Sequence, residues 1–246
     1  MRLRVVSYNI HKGIGGLDRR YRIDRVIAVL GREAPDIALL QEVAEDMPRS
    51  EFHDQAELLS AALNMPHIAY SPQHRFSIGG YGNAILSRWP VTHVHQVDLT
   101  IGTRKQRGAI VARTRVRVGR HTRTVVVFNL HLGLADSERG LQLERFLSSH
   151  PFAHLHQRTP VILGGDLNDV WGSLGPRFLF PAGFRRAGAL RNTFPAPLPI
   201  RPLDGLFVRG DLRARSCMAP RDSLTRQASD HLPLVAELDL RMERAD

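Results

Sequence analysis

The chain of 246 residues is poor in the groups that staple or anchor proteins. It has one cysteine, Cys217, which excludes an internal disulfide framework and a cysteine-rich zinc site. Its strongly apolar runs, such as Val125-Val126-Val127-Phe128, are far shorter than the roughly 20 residues a membrane helix needs, so no membrane span is expected. No repeat, low-complexity tract or Gly/Ser linker interrupts it. A strand-like segment, Leu3–Tyr8, begins almost at once and leaves no room for a secretory leader, so a cytoplasmic protein is expected. Lysine is nearly absent: of 34 basic residues, only Lys12 and Lys105 are not arginine.

What is abundant is arginine. The formal net charge of +10 concentrates anions such as nucleic acid, phosphorylated metabolites or lipid head groups, without choosing among them. An arginine-biased genome accounts for the scarcity of lysine equally well. Apolar residues at 43% and charged residues at 24% exclude wholesale disorder. The length favours one large domain over 1–246.

Asp24 is placed to cap a helix through Arg32, and Glu51–Leu63 reads as a second helix stopped by Asn64 and Pro66. Ile37–Leu40 and Val161–Leu163 are short continuous apolar runs, hence buried strands. In Ile110–Val118, Arg113, Arg115 and Arg117 alternate with apolar residues, which predicts a strand with a basic solvent face. Gly119-Arg120 turns it into a partner, Thr124–Leu130. Ser137–Ser149 is helical, Arg191–Pro202 is a proline-rich extended loop, and Leu206–Val208 and Leu234–Leu240 are strands. Hairpins mixed with helical crossovers predict an α/β fold of two packed sheets with helices outside.

Polar residues interrupt the apolar runs at their ends. Asn9, Glu42, His131 and the pair Asp166/Asn168 follow strands, whereas Asp204 and the pair Asp230/His231 precede them. Strand ends and neighbouring strand starts share a rim in an antiparallel sandwich, so all can gather at one edge. Each has a plain structural alternative: Asn9 as a turn former, Glu42 as an exposed terminus, Asp166-Leu-Asn168 as an Asx turn, His131 as a half-buried ring and Asp230 as a cap. As a set, the carboxylates and amides are hard oxygen donors, suited to Mg²⁺ or Mn²⁺.

Seven motifs built on these residues occur in order: Ser-Tyr-Asn-Ile-His-Lys-Gly (7–13), Leu-Gln-Glu-Val (40–43), Gly-Asn-Ala-Ile-Leu-Ser-Arg (82–88), Asn-Leu-His-Leu-Gly (129–133), Gly-Gly-Asp-Leu-Asn-Asp (164–169), Leu-Asp-Gly-Leu-Phe-Val (203–208) and Ser-Asp-His-Leu-Pro-Leu (229–234). Together they resemble the endonuclease/exonuclease/phosphatase superfamily, with its DNase I-like fold, and most of all its small bacterial stand-alone hydrolases. The resemblance implies a four-layer α/β sandwich, two mainly antiparallel sheets flanked by helices, and metal-dependent hydrolysis of phosphate esters. It makes Glu42 the principal Mg²⁺ ligand, with Asn9 beside it and Asp230 at the metal edge. Asp166 orients or deprotonates water, Asn168 binds the phosphoryl oxygen, and Asp204 holds His231. His131 is the second site histidine, Arg107 contacts phosphate, and Asn83 is a further pocket residue.

Two positions depart from the resemblance. Tyr81 or Gly82 falls near the glutamate that backs the first histidine in DNase I-type nucleases. Gly205 stands where many relatives carry Arg or Tyr, and the Cys-Asp-Arg pattern of inositol-polyphosphate 5-phosphatases is absent. Three functions are compatible with the set. A nuclease-type phosphodiesterase is the leading expectation; a phospholipid or sphingomyelin-type phosphodiesterase or small phosphomonoesterase keeps the chemistry; a non-catalytic binding module keeps only the site.

Overall fold

Alternate residues of the central strands point into different buried clusters, which is why those strands read as unbroken apolar runs. In β1 (Arg2–Asn9), Leu3 and Val5 face one cluster while Val6 and Tyr8 face another. In β2 (Ile37–Glu45), Ile37 and Leu39 alternate with Ala38 and Leu40 in the same way. The structure, a computed structural model, describes residues 1–241 and Glu243–Arg244 and has two sheets face to face, covered by helices on both outer sides.

The six-stranded sheet also contains β3 (His67–Arg75), β4 (Gly80–Ser87), β11 (Leu212–Met218) and β12 (Leu234–Leu240), in the order β11-β12-β1-β2-β4-β3. The other sheet holds β5 (Val91–Asp98), β6 (Gly108–Val118), β7 (His121–His131), β8 (Val161–Asp166), β9 (Arg185–Arg186) and β10 (Asp204–Arg209), ordered β5-β6-β7-β8-β10-β9; β13 (Glu243–Arg244) pairs with β7. Both sheets are antiparallel except at β1/β2 and β7/β8, which are parallel. The first sheet packs outward against α1 (Ile23–Glu33), α2 (Gln55–Leu63) and α5 (Ser223–Ala228). The second packs against α3 (Asp136–Ser148) and α4 (His150–Ala153) through Phe128, Phe146 and Phe152.

The helix starts differ from the sequence expectation. Asp24 lies inside the first turn of α1 and pairs with Arg22, which occupies the cap position without a side-chain capping bond. Helix α2 begins at Gln55, not Glu51, because Asp54 accepts from the Glu57 amide as a side-chain cap. Six strands escaped the sequence reading: β3, β4, β5, β9, β11 and β13. The exposed β5 (Val91–Asp98) carries two histidines and few large apolar residues, so its sheet pattern is weak.

Polar side chains join the two sheets through their apolar interior: Ser87 of β4 bonds Thr114 of β6, and Asn129 makes more bonds still. Asn129 on β7 is fully buried; its Nδ2 donates to Leu40 O and Ala84 O of the other sheet, both at 2.8 Å. Its Oδ1 accepts from Gln41 Nε2 at 2.7 Å. Asn129→Ala takes the side-chain donor from two buried carbonyls and leaves Gln41 Nε2 only Leu39 O, and should cost about 2–4 kcal/mol in urea unfolding. A loss below about 0.5 kcal/mol, the range of a neutral surface change, would show the clamp to be dispensable.

Candidate active site

Register builds the site. His131 on β7 pairs with Asp166 on β8, and Asp166 pairs with Asp204 on β10, so the three form a row across adjacent strands. From the facing sheet, Asn9 ends β1 and donates Nδ2 to Asp166 Oδ2 at 3.0 Å. His231 precedes β12 and places Nδ1 2.8 Å from Asp204 Oδ2. Its Nε2 lies 3.7 Å from Asp166 Oδ2, and His131 Nε2 lies 3.5 Å from the same oxygen. The rim convergence expected from the strand ends is what the structure has.

Glu42 arrives by a different device. Leu40 pairs with Ala84 and Val43 with Gly82, so Gln41 and Glu42 together oppose Asn83 in a β-bulge. Glu42 sits at φ 55°, in the left-handed region, and this turns its carboxylate to the rim while Gln41 enters the core. The Lys12 ammonium contacts Glu42 Oε2 and also lies 4.7 Å from the centre of the Tyr81 ring. Lys105 stands 5.6 Å from that ring, so the chain's two lysines meet at one tyrosine.

Charges are sharply sorted. Burial raises Asp166 and Asp204 adds to it, overcoming the pull of His231, to about 6. Burial opposes charge on His231, but Asp204 and Asp166 outweigh it and lift the pKa to about 10. His131 is driven well below the usual imidazole value by burial and by Arg107. One histidine is therefore cationic and the other neutral at pH 7. Burial pushes Glu42 up, yet the Lys12 ammonium beside it holds it down to about 2.

The remaining expected residues are placed as follows. Asn168 donates its amide N–H to Asp166 Oδ1 at 3.0 Å and Nδ2 to Leu132 O at 2.9 Å, so the Asx turn and the site coexist. Asp230 lies beside His11, 3.6 Å from its Nδ1. Arg107 is buried, and its Nε and Nη1 have no partner. Asn83 is fully buried with its Oδ1 unpaired, and its Nδ2 reaches Gly108 O at 3.5 Å. Tyr81 lies tilted against His74, with ring centres 4.6 Å apart.

Sequence reasoning missed Thr193, whose Oγ1 donates to Asp204 Oδ2 at 2.5 Å, and Ser229, which donates to Asn9 O at 2.7 Å. It also left His11 and Lys12 without a role, although both stand in the first motif. Oxygen donors from Glu42, Asn9, Asp166 and Asp230 suit a hard cation, and ligand atoms of Asp166, Asp204 and His231 lie within 4.8 Å of one another. The buried Asp204 Oδ1 has no partner, and the Lys12 ammonium already occupies a cation position on Glu42. The site therefore fits a divalent metal.

With this geometry in place, the comparisons are specific. The family model described as "Endonuclease/Exonuclease/phosphatase family" matches residues 6–231. The chain belongs to that family and is, with it, a phosphoric ester hydrolase. It is 28% identical to a protein of Escherichia coli K12 called "Uncharacterized protein YbhP", over 96% of each chain. Its fold is similar to that of an endonuclease/exonuclease/phosphatase from Beutenbergia cavernae, with a TM-score of 0.79 at 24% identity, covering 97% of this chain and 72% of that one. It is also similar in fold to ANGEL2, a 2',3'-cyclic phosphatase, with a TM-score of 0.71 at 15% identity over 97% of this chain and 95% of that one.

The His231 pKa makes a stability prediction. Because it is raised in the fold, the Asp204–His231 pair contributes fully below pH 6.5, and its contribution is lost as pH rises toward 10. In EDTA, Asp204→Asn should be less stable than wild type by about 3–5 kcal/mol at pH 6. Urea titrations should show that gap narrowing toward pH 10; a constant gap would mean His231 carries no charge in the fold.

Proposed function

We propose that this protein is a divalent-metal-dependent phosphodiesterase acting by attack of water in line with the leaving oxygen. The observation that carries the reading is Asp166, a buried carboxylate set between a neutral and a cationic histidine. Glu42 would hold Mg²⁺ or Mn²⁺, with Asn9 and Asp230 beside it. When bound, the metal neutralises the charge that grows on phosphoryl oxygens and acidifies water.

The side chains supply the rest. Asp166, with a pKa near 6, orients the attacking water and takes its proton near neutral pH. The imidazolium of His231, locked by Asp204 and Thr193, donates to a non-bridging oxygen. The second amide hydrogen of Asn168, His131 and the unpaired nitrogens of Arg107 complete the oxyanion donors. We take 1–246 as one domain, since β1 and β12, from opposite ends of the sequence, are neighbours in one sheet. A cytoplasmic site fits the free thiol of Cys217.

Polynucleotide and phospholipid diesters both suit this chemistry. The nuclease-type reading rests on positive charge, but Arg113 and Arg115 pair with Val126 and Thr124, on strand positions remote from His131. The lipid reading gains from the proline-rich loop: Phe194 lies 5.0 Å from the His231 ring, and Leu198 and Ile200 beyond it are exposed. The test is a panel of plasmid DNA, RNA, phospholipid vesicles, phosphomonoesters and bis(p-nitrophenyl) phosphate with Mg²⁺, Mn²⁺ or EDTA. EDTA should abolish turnover, and Glu42→Gln and Asp166→Asn should each lower kcat by about 10²–10⁴ with unchanged circular dichroism. Turnover undiminished in either variant would refute the assignment.

A further inference from the structure

The exposed apolar side chains are unevenly placed. Register puts the final residues of β1, β2, β3, β5, β7 and β8 at the end of the sandwich that holds Asp166, along with the first residues of β4, β6, β10 and β12. The loops at that end present Phe76, Ile78, Leu134, Trp171, Leu198 and Ile200 to solvent, with Trp171 81% exposed. At the opposite end, loops 34–36, 88–90, 154–160 and 210–211 have no exposed large apolar side chain among the described residues, and Phe180, before β9, is 42% exposed. Surface apolar groups scattered at random need no explanation, but a concentration around one cleft marks an interaction face.

Loops at that end also expose cations, Arg49, Arg75, Arg104, Lys105, Arg191 and Arg201, and Arg191 and Arg201 lie in the same loop as Leu198 and Ile200. Tryptophan and branched aliphatics interleaved with cations are the composition of a bilayer-surface contact, where rings and alkyl groups sit at head-group depth and cations meet lipid phosphates. A polyphosphate track would use the arginines but has no need of aliphatic tips. The apolar tips are also tied to the cleft: Ala196 N donates to Asp230 O at 2.7 Å, and Leu232 N to Thr193 O at 2.8 Å. No helix among the described residues is long and apolar enough to cross a membrane, so contact would be from one side.

We propose that the face carrying the candidate site docks on an anionic phospholipid surface through Trp171, Leu198 and Ile200, and that its substrate is a phosphodiester of a lipid head group. This substrate assignment rests on the phosphodiesterase reading. Hydrolysis there breaks one phosphorus–oxygen ester bond and forms one to the oxygen of water; the released alcohol keeps the ester oxygen and gains a proton.

The chain has two tryptophans, so Trp89→Phe leaves Trp171 as the sole reporter. In EDTA, its emission should shift to the blue on adding phosphatidylglycerol vesicles, with partition about tenfold stronger than onto phosphatidylcholine and weakening with NaCl. Leu198→Ser with Ile200→Ser should lower that partition about tenfold, whereas Leu141→Ser, exposed on α3, should not. No shift with phosphatidylglycerol, equal binding by the Leu198/Ile200 variant, or a shift given by polynucleotide and not by vesicles overturns the docking. Hydrolysis of bis(p-nitrophenyl) phosphate without vesicles separates the two ideas. Hydrolysis with no vesicle binding refutes docking alone, and vesicle binding with no hydrolysis refutes the phosphodiesterase reading and the lipid substrate with it.

Discussion

The bonds from Asn129 to Leu40, Ala84 and Gln41 are the constraint on which the site depends. Apolar contact between two sheets is non-directional and tolerates sliding. A buried amide with three partners does not, because each slip leaves polar groups unpaired in the core. Gln41 is the neighbour of Glu42, and Asn129 lies two residues before His131. The clamp therefore fixes the relative position of a carboxylate from one sheet and a histidine from the other, and with them everything gathered between.

Around that fixed point, opposite charges are distributed so that no carboxylate at the rim stands alone. Lys12 covers Glu42, His231 serves both Asp204 and Asp166, and Asn9 donates to Asp166. Burial magnifies these couplings, since water does not screen them, and it separates the two imidazoles into different protonation states. A row of identical residue types thus acquires distinct chemical roles from position alone. His131 faces Arg107 and stays neutral; His231 faces two aspartates and is charged.

Much of this was legible in the sequence. The alternation of Ile110–Val118, the apolar runs of Ile37–Leu40 and Val161–Leu163, and polar residues at their ends define the sandwich and its rim. The family resemblance rests on those same residues, and the model match over 6–231 bears it out. What escaped were features with no local signature. Strand β5 is an exposed edge with weak alternation, so its pairing depends on β6. The bulge at Gln41-Glu42 is visible only against β4, and the structural duty of Asn129 only against the opposite sheet. Thr193 sits in a proline-rich loop whose path no periodicity describes. Tyr81 could have been marked by one clue, the rarity of lysine, yet nothing in the order of residues says that both lysines reach it.

The backbone at this end of the molecule has a consequence for how the protein can be altered. His11, Lys12 and Glu42 all hold positive φ, 47°, 59° and 55°, where glycine is at ease and other residues pay roughly 1–2 kcal/mol each. Glycine at 12 or 42 would relieve that strain but strip one partner from the largely buried Lys12–Glu42 pair, a loss of about 3–5 kcal/mol that outweighs the relief. The strained turn and the bulge are therefore held in place by the very charges they present, and neither can be relaxed alone.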